Sequence, residues 1–131
     1  MIGLDTNIFV RYFVKDDPEQ TRLAVDLVRA LSPLEPGWVG QATILELVWA
    51  VTRIYRVDKA GVIQILDTLL ASRDLVVEFD DTVRTALRLY RKGHADFADC
   101  LIGASARAAG CSRTVTFDRI AAHDAGMQLL E

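Results

Sequence analysis

Short apolar runs that alternate with segments of helical period predict a three-layer α/β/α fold, with a parallel sheet covered on both faces by helices. Two further observations point the same way. Acidic residues stand directly after apolar runs, Asp5 after MIGL and Asp118 after RTVTF, which is the strand edge where α/β sheets bind ligands. The segments also follow one another too closely for a linker, so residues 1–131 are expected to make a single domain.

The elements follow in order. Residues 1–4, MIGL, suit a buried strand, and Asp5-Thr6-Asn7 caps a helix from Asn7 to about Val14. Asp17-Pro18-Glu19-Gln20 supplies a capping residue, a proline at the first helical position and Gln three after the cap. Leu23, Ala24, Leu27, Val28 and Leu31 continue that helix as one apolar face until Pro33, Pro36 and Gly37 stop it. Trp38-Val39 is a short strand, followed by a long helix from Gln41 to about Tyr55. Asp58 caps the next helix, which buries Val62, Ile63, Leu66, Leu69 and Leu70. LVVEF at 75–79 is a strand, and Asp81 opens a helix to about Lys92. A helix carrying ADFADCLIGA runs to Gly110, RTVTF at 113–117 is a strand, a short helix follows Asp118, and a last strand lies near Met127 to Leu130. The central parallel sheet should therefore hold four or five strands.

Composition bounds the function. Half of the chain is apolar and a quarter charged, with no repeat or low-complexity tract, which indicates a globular protein. Asp5 and Arg11 interrupt the N-terminal apolar run before it could serve as a signal peptide or span, so a cytoplasmic protein with no membrane association is expected. Cys100 and Cys111 have no metal-site spacing and are expected to be reduced thiols.

Each acid has a structural reading of its own. Asp5 and Asp118 suit helix N-caps, and Asp96 and Asp99 suit the positive end of a helix dipole. Glu46 falls opposite the stripe of Ile44, Leu47, Val48 and Val51, as a solvated glutamate would. Asp96 and Asp99 share one helix face, where like charges repel, so both stay ionised more easily beside a cation. Taken together, acids without Cys or His ligands point to Mg²⁺ or Mn²⁺ rather than zinc. Such a site can activate water and neutralise a phosphodiester.

Four segments, GLDTNIFVRYFVKDDPEQ at 3–20, ATILELVWAV at 42–51, ADFADCLIGASA at 95–106 and TVTFD at 114–118, resemble the PIN-domain ribonucleases, and among them the VapC toxins of toxin–antitoxin pairs. The resemblance implies that Asp5, Glu46, Asp99 and Asp118 are the catalytic, metal-binding acids. It makes Asp96, Thr6, Asn7 and Thr116 auxiliary residues that orient ligands or waters. It further implies a Mg²⁺-dependent (or Mn²⁺-dependent) endoribonuclease acting on tRNA or rRNA and leaving 5′-phosphate and 3′-hydroxyl ends. A homodimer and a VapB-like antitoxin partner belong to the same expectation.

The formal net charge of −3 does not announce an RNA binder, but the four acids account for −4 of it and leave +1 on the remainder. Arg84, Arg88, Arg91 and Lys92 share a helix face, and Arg11 lies near Lys15; either set could meet an RNA backbone or be merely solvated. An aspartyl-phosphate enzyme is the rival chemistry, but Asn7 stands where its second acid is needed. The non-enzymatic rival is an inactive PIN-like module that acts through protein partners, which a missing ligand acid would favour.

Overall fold

The computed structural model describes all of residues 1–131, which form two compact units, Met1–Glu78 and Phe79–Glu131. In the first, the elements run β1 (Ile2–Gly3), α1 (Thr6–Val14), α2 (Pro18–Ala30), β2 (Gly37–Val39), α3 (Gln41–Arg53), α4 (Lys59–Ala71) and β3 (Leu75–Val77). The strands pair in the order β1-β2-β3, all parallel, with Ile2 opposite Gly37 and Gly37 opposite Leu75.

Local sequence explains these helices. The Asp17 carboxylate accepts from the Gln20 amide at 3.0 Å beside Pro18, and the Asp58 carboxylate accepts from the Gly61 amide at 2.8 Å. Gly40 precedes α3 and has no side chain to cap it, so Glu78, just past β3, accepts from the Gln41 amide at 3.0 Å instead. Phe9, Val39, Ile44, Leu47, Val51, Val62 and Leu66 are all buried, so α1, α3 and α4 each bury an apolar stripe. Gly37 is required by close packing: a Cβ there would lie 2.6 Å from Leu4 Cδ1 and 3.1 Å from Leu31 Cδ1.

The second unit runs α5 (Asp80–Lys92), α6 (Phe97–Ala108), β4 (Val115–Thr116), α7 (Arg119–Asp124) and β5 (Gln128–Leu129). Helices α5 and α6 pack together; Val83, Ala86 and Leu87 on one and Phe97, Leu101 and Ala104 on the other are buried. Tyr90 meets Phe97 edge to face with centroids 5.9 Å apart. Strands β4 and β5 pair in parallel, Val115 opposite Gln128.

The α/β class and the parallel pairing are as the sequence predicts, but the strands form sheets of three and of two rather than one sheet of four or five. Which strands pair depends on partners far apart in the chain, and in RTVTF only Val115 and Thr116 pair, with Gln128 and Leu129 of β5. Helix bounds shift by a residue or two: α1 begins at Thr6, α5 at Asp80 after a left-handed Phe79, and α3 ends at Arg53.

Candidate functional site

Three of the acids lie in the second unit. Asp96 is the N-cap of α6, and its carboxylate accepts from the Asp99 amide at 2.8 Å. Asp99 sits in the first turn of that helix, half-buried, while the buried Phe97, Cys100 and Leu101 anchor the opposite side. Asp118 is the N-cap of α7; its Oδ1 accepts from the Ala121 amide at 2.9 Å. Its own amide donates to Thr116 Oγ1 at 3.0 Å, so Thr116 helps to fix the backbone on which Asp118 stands.

Burial, then the charges of Asp96 and Asp118, then a hydrogen bond to Asp96, hold the Asp99 carboxyl above its ordinary pKa. The charges of Asp96 and Asp118 thus act on Asp99, whose ionised form they and its burial disfavour. A cation placed beside it relieves both the repulsion and the burial cost.

Asp5, at the N-cap of α1, and Glu46, on α3, lie in the first unit, where these two helices pack against each other. Asp5 is exposed and caps α1 with Oδ1 accepting from the Thr6 amide at 2.7 Å, while Thr6 is only 7% exposed. Asn7 is exposed and lines a cavity of about 280 Å³ between α1 and α2, together with Ile8, Arg11, Gln20 and Leu23. Glu46 is exposed on the face of α3 opposite Ile44, Leu47 and Val51, as the helical wheel predicts.

The capping duty of Asp5, Asp96 and Asp118 and their use as ligands are compatible, because each cap engages one carboxylate oxygen and leaves the other. Within either unit, no three His, Cys, Asp or Glu side chains gather closely enough to enclose an ion. Mg²⁺ does not demand such a cage; it keeps several waters and takes one or two carboxylates plus substrate phosphate oxygens. The carboxylates of Asp96, Asp99 and Asp118 offer only oxygen donors, the set that such an ion prefers.

The basic residues divide. Arg11 is engaged internally: it donates to Gln20 Oε1 at 2.6 Å, Asp16 Oδ1 at 2.7 Å and Tyr55 Oη at 3.2 Å. The Tyr55 hydrogen bond, with Asp16 beside it, raises its already high pKa. On α5, Arg84 pairs with Asp80 at 3.5 Å and Arg88 donates to Thr85 at 3.0 Å, while Arg84, Arg88, Arg91 and Lys92 all remain exposed.

Two residues escape a reading of the sequence. Glu78 caps a helix 37 residues before it, and the Asp124 carboxylate accepts from the His94 amide at 2.7 Å across 30 residues. Neither carries a local signal, since its partner is distant in the chain.

The chain matches the PIN domain over residues 2–125. It belongs to the PIN-domain family. The match takes in both units and every acid named above. Among curated proteins, the chain is similar to a VapC ribonuclease of Aquifex aeolicus (strain VF5), 27% identical over 117 residues that cover 88% of this chain and 86% of that protein. Asp5, Glu46, Asp96, Asp99 and Asp118 all fall within the matched residues, and three of them, Asp5, Asp96 and Asp118, cap helices.

Proposed function

We propose that this PIN domain is a metal-dependent endoribonuclease and the toxin of a VapBC-type pair, acting on tRNA or rRNA. The observation that carries the reading is the match over residues 2–125, which includes all four expected acids. The likeness to a VapC ribonuclease supports the toxin assignment. The elevated pKa of Asp99 beside Asp96 and Asp118 supports a cation at that place.

In this reading residues 1–131 act as one domain, and Asp5, Asp99, Asp118 and Glu46 would hold Mg²⁺ or Mn²⁺. When bound, such an ion supplies a water activated for attack on phosphorus and neutralises charge on the phosphodiester. The protein's own groups do the positioning. Asp99, held above its ordinary pKa by burial and by the charges of Asp96 and Asp118, gains from a cation that offsets them. Asp96 and Asp118 hold their helices' first turns and present a remaining oxygen, Thr116 steadies the Asp118 backbone, and Thr6 and Asn7 flank the Asp5 carboxylate. Glu46 retains a carboxylate exposed to solvent, suited to a metal-bound water. A homodimer, a VapB-like antitoxin and a cytoplasmic location complete the proposal.

The deciding experiment incubates purified protein with total RNA and Mg²⁺ or Mn²⁺ and maps the new 5′-phosphate ends. Cleavage that stops with chelator and disappears in Asp5→Asn and Asp99→Asn is the expected result. Cleavage that persists in both variants would remove these acids from the chemistry. A folded wild type that binds metal and cuts no RNA would favour a PIN module acting only through protein partners.

A further inference from the structure

We propose that Asp124 is a positioning residue that clamps α7 against the start of α6 and so sets the spacing of Asp99 and Asp118. The inference rests on the nuclease reading above.

Asp124 is the last residue of α7, where a carboxylate meets the negative end of the helix dipole and gains nothing from its own helix. Its reason for being there is tertiary. The side chain is 14% exposed, Oδ2 accepts from the His94 amide at 2.7 Å, and Oδ1 meets His123 Nδ1 at 2.5 Å. His94 stands two residues before Asp96, the cap of α6.

The backbone before α6 lies flat on this carboxylate. A Cβ at Gly93 would fall 2.8 Å from Asp124 Cβ and 2.9 Å from its Cγ, closer than real contacts allow. Gly93 has an extended backbone (φ −118°) that any residue adopts, so it is the contact with Asp124 that demands a glycine. A second tie lies one residue on. A Cβ at Gly103, inside α6, would fall 2.7 Å from the carbonyl oxygen of Ala125, a backbone atom that cannot swing aside.

Residues 124–125 thus grip α6 at two places, just before its cap and in its second turn. The helix they terminate has six residues, about 9 Å of axial length, and Asp118 caps its other end. A short, hydrogen-bonded rod pinned at one end holds its other end in place, which keeps the Asp118 carboxylate within range of Asp99.

The test compares Asp124→Ala and Asp124→Asn in the full chain. Asparagine retains an oxygen that can accept from the His94 amide, whereas alanine retains none. For Asp124→Ala, the expected results are loss of His94 amide protection in hydrogen exchange, Mn²⁺ affinity weaker by about tenfold, and a lower kcat with little change in KM. Asp124→Asn should restore all three towards wild type. Should the alanine variant fail to fold, Asp124→Glu, which keeps the charge but moves the oxygens outward by one methylene, should show the same losses.

A folded Asp124→Ala or Asp124→Glu protein with wild-type Mn²⁺ affinity and kcat would overturn the inference. So would an asparagine variant as damaged as the alanine one. If wild type binds Mn²⁺ and cuts RNA while Asp99→Asn does neither, the nuclease reading stands whatever Asp124 does. A wild type that neither binds Mn²⁺ nor cuts RNA sinks that reading, and this inference with it.

Discussion

Asp96 and Asp99, three residues apart, have opposite effects on stability. Asp96 satisfies an amide that would otherwise lack a partner at the start of α6, so Asp96→Ala should cost about 1 kcal/mol in urea unfolding while Asp96→Asn, also a good cap, should cost far less. Asp99 does the reverse. Its folded pKa lies above the unfolded value, so its contribution to stability is fully present below the unfolded pKa and is lost as pH rises through the folded one. Metal-free Asp99→Asn should therefore melt at a higher temperature than wild type at pH 7, with the difference closing towards pH 4 and below. Thermal unfolding across that range checks it, and a lower melting temperature at neutral pH would contradict the account. In cleavage the order reverses: Asp99→Asn should abolish activity and Asp96→Asn reduce it less. An acid that is costly without its ligand is what a binding site built for that ligand predicts.

Helices in this chain are held at their starts by carboxylates and along their sides by apolar stripes, and both can be weighed. Asp5, Asp17, Asp58, Asp96 and Asp118 cap five helices, each accepting an amide from within the next three residues. Gly40 and Phe79 break the pattern: α5 has no side-chain cap, while at α3 Glu78, just past β3, supplies the carboxylate. Glu78→Ala should cost about 1 kcal/mol, as loss of a local cap would, although no cap motif precedes α3. Denaturant midpoints for Glu78→Ala and Glu78→Gln would show it, the glutamine variant retaining an acceptor. At the α5–α6 contact, Phe97 is 1% exposed and stacked edge to face with Tyr90, so Phe97→Ala should cost about 3–5 kcal/mol. That loss is a large share of the stability of a domain this size, and reduced solubility on expression should accompany it.

At the scale of the whole chain, ligand binding offers a test that needs no RNA. If the acids hold a divalent ion in the folded state alone, Mn²⁺ at a hundred times its Kd should add about 2.7 kcal/mol of stability, and chelator should remove it. Asp99→Asn should show no such gain. Scanning calorimetry with and without Mn²⁺ reads this directly, and an equal gain in both proteins would place the ion elsewhere.

The same scale shows how much was legible in the chain. The caps at Asp5, Asp17, Asp58, Asp96 and Asp118 and the apolar stripe of α3 can be read from sequence because every partner lies within a turn or two of helix, whereas Leu23 on the expected face of α2 is exposed and α4 buries Ile65 more fully than the expected Ile63. The order of the acids was legible for a related reason: each stands at a strand end or helix start that its neighbours announce. The division of the strands into sheets of three and two was not, since pairing depends on residues far apart, such as Gly37 with Leu75 and Val115 with Gln128. Glu78 on the Gln41 amide and Asp124 on the His94 amide were hidden for the same reason. Sequence alone determined the helices, the acids and the family they resemble, because those follow from interactions that span a few residues. Only the tertiary structure decided that Asp99 is held above its ordinary pKa, that Arg11 is committed to Asp16, Gln20 and Tyr55, and that Asp124 grips the start of α6, because burial and distant charge exist only once the chain has folded.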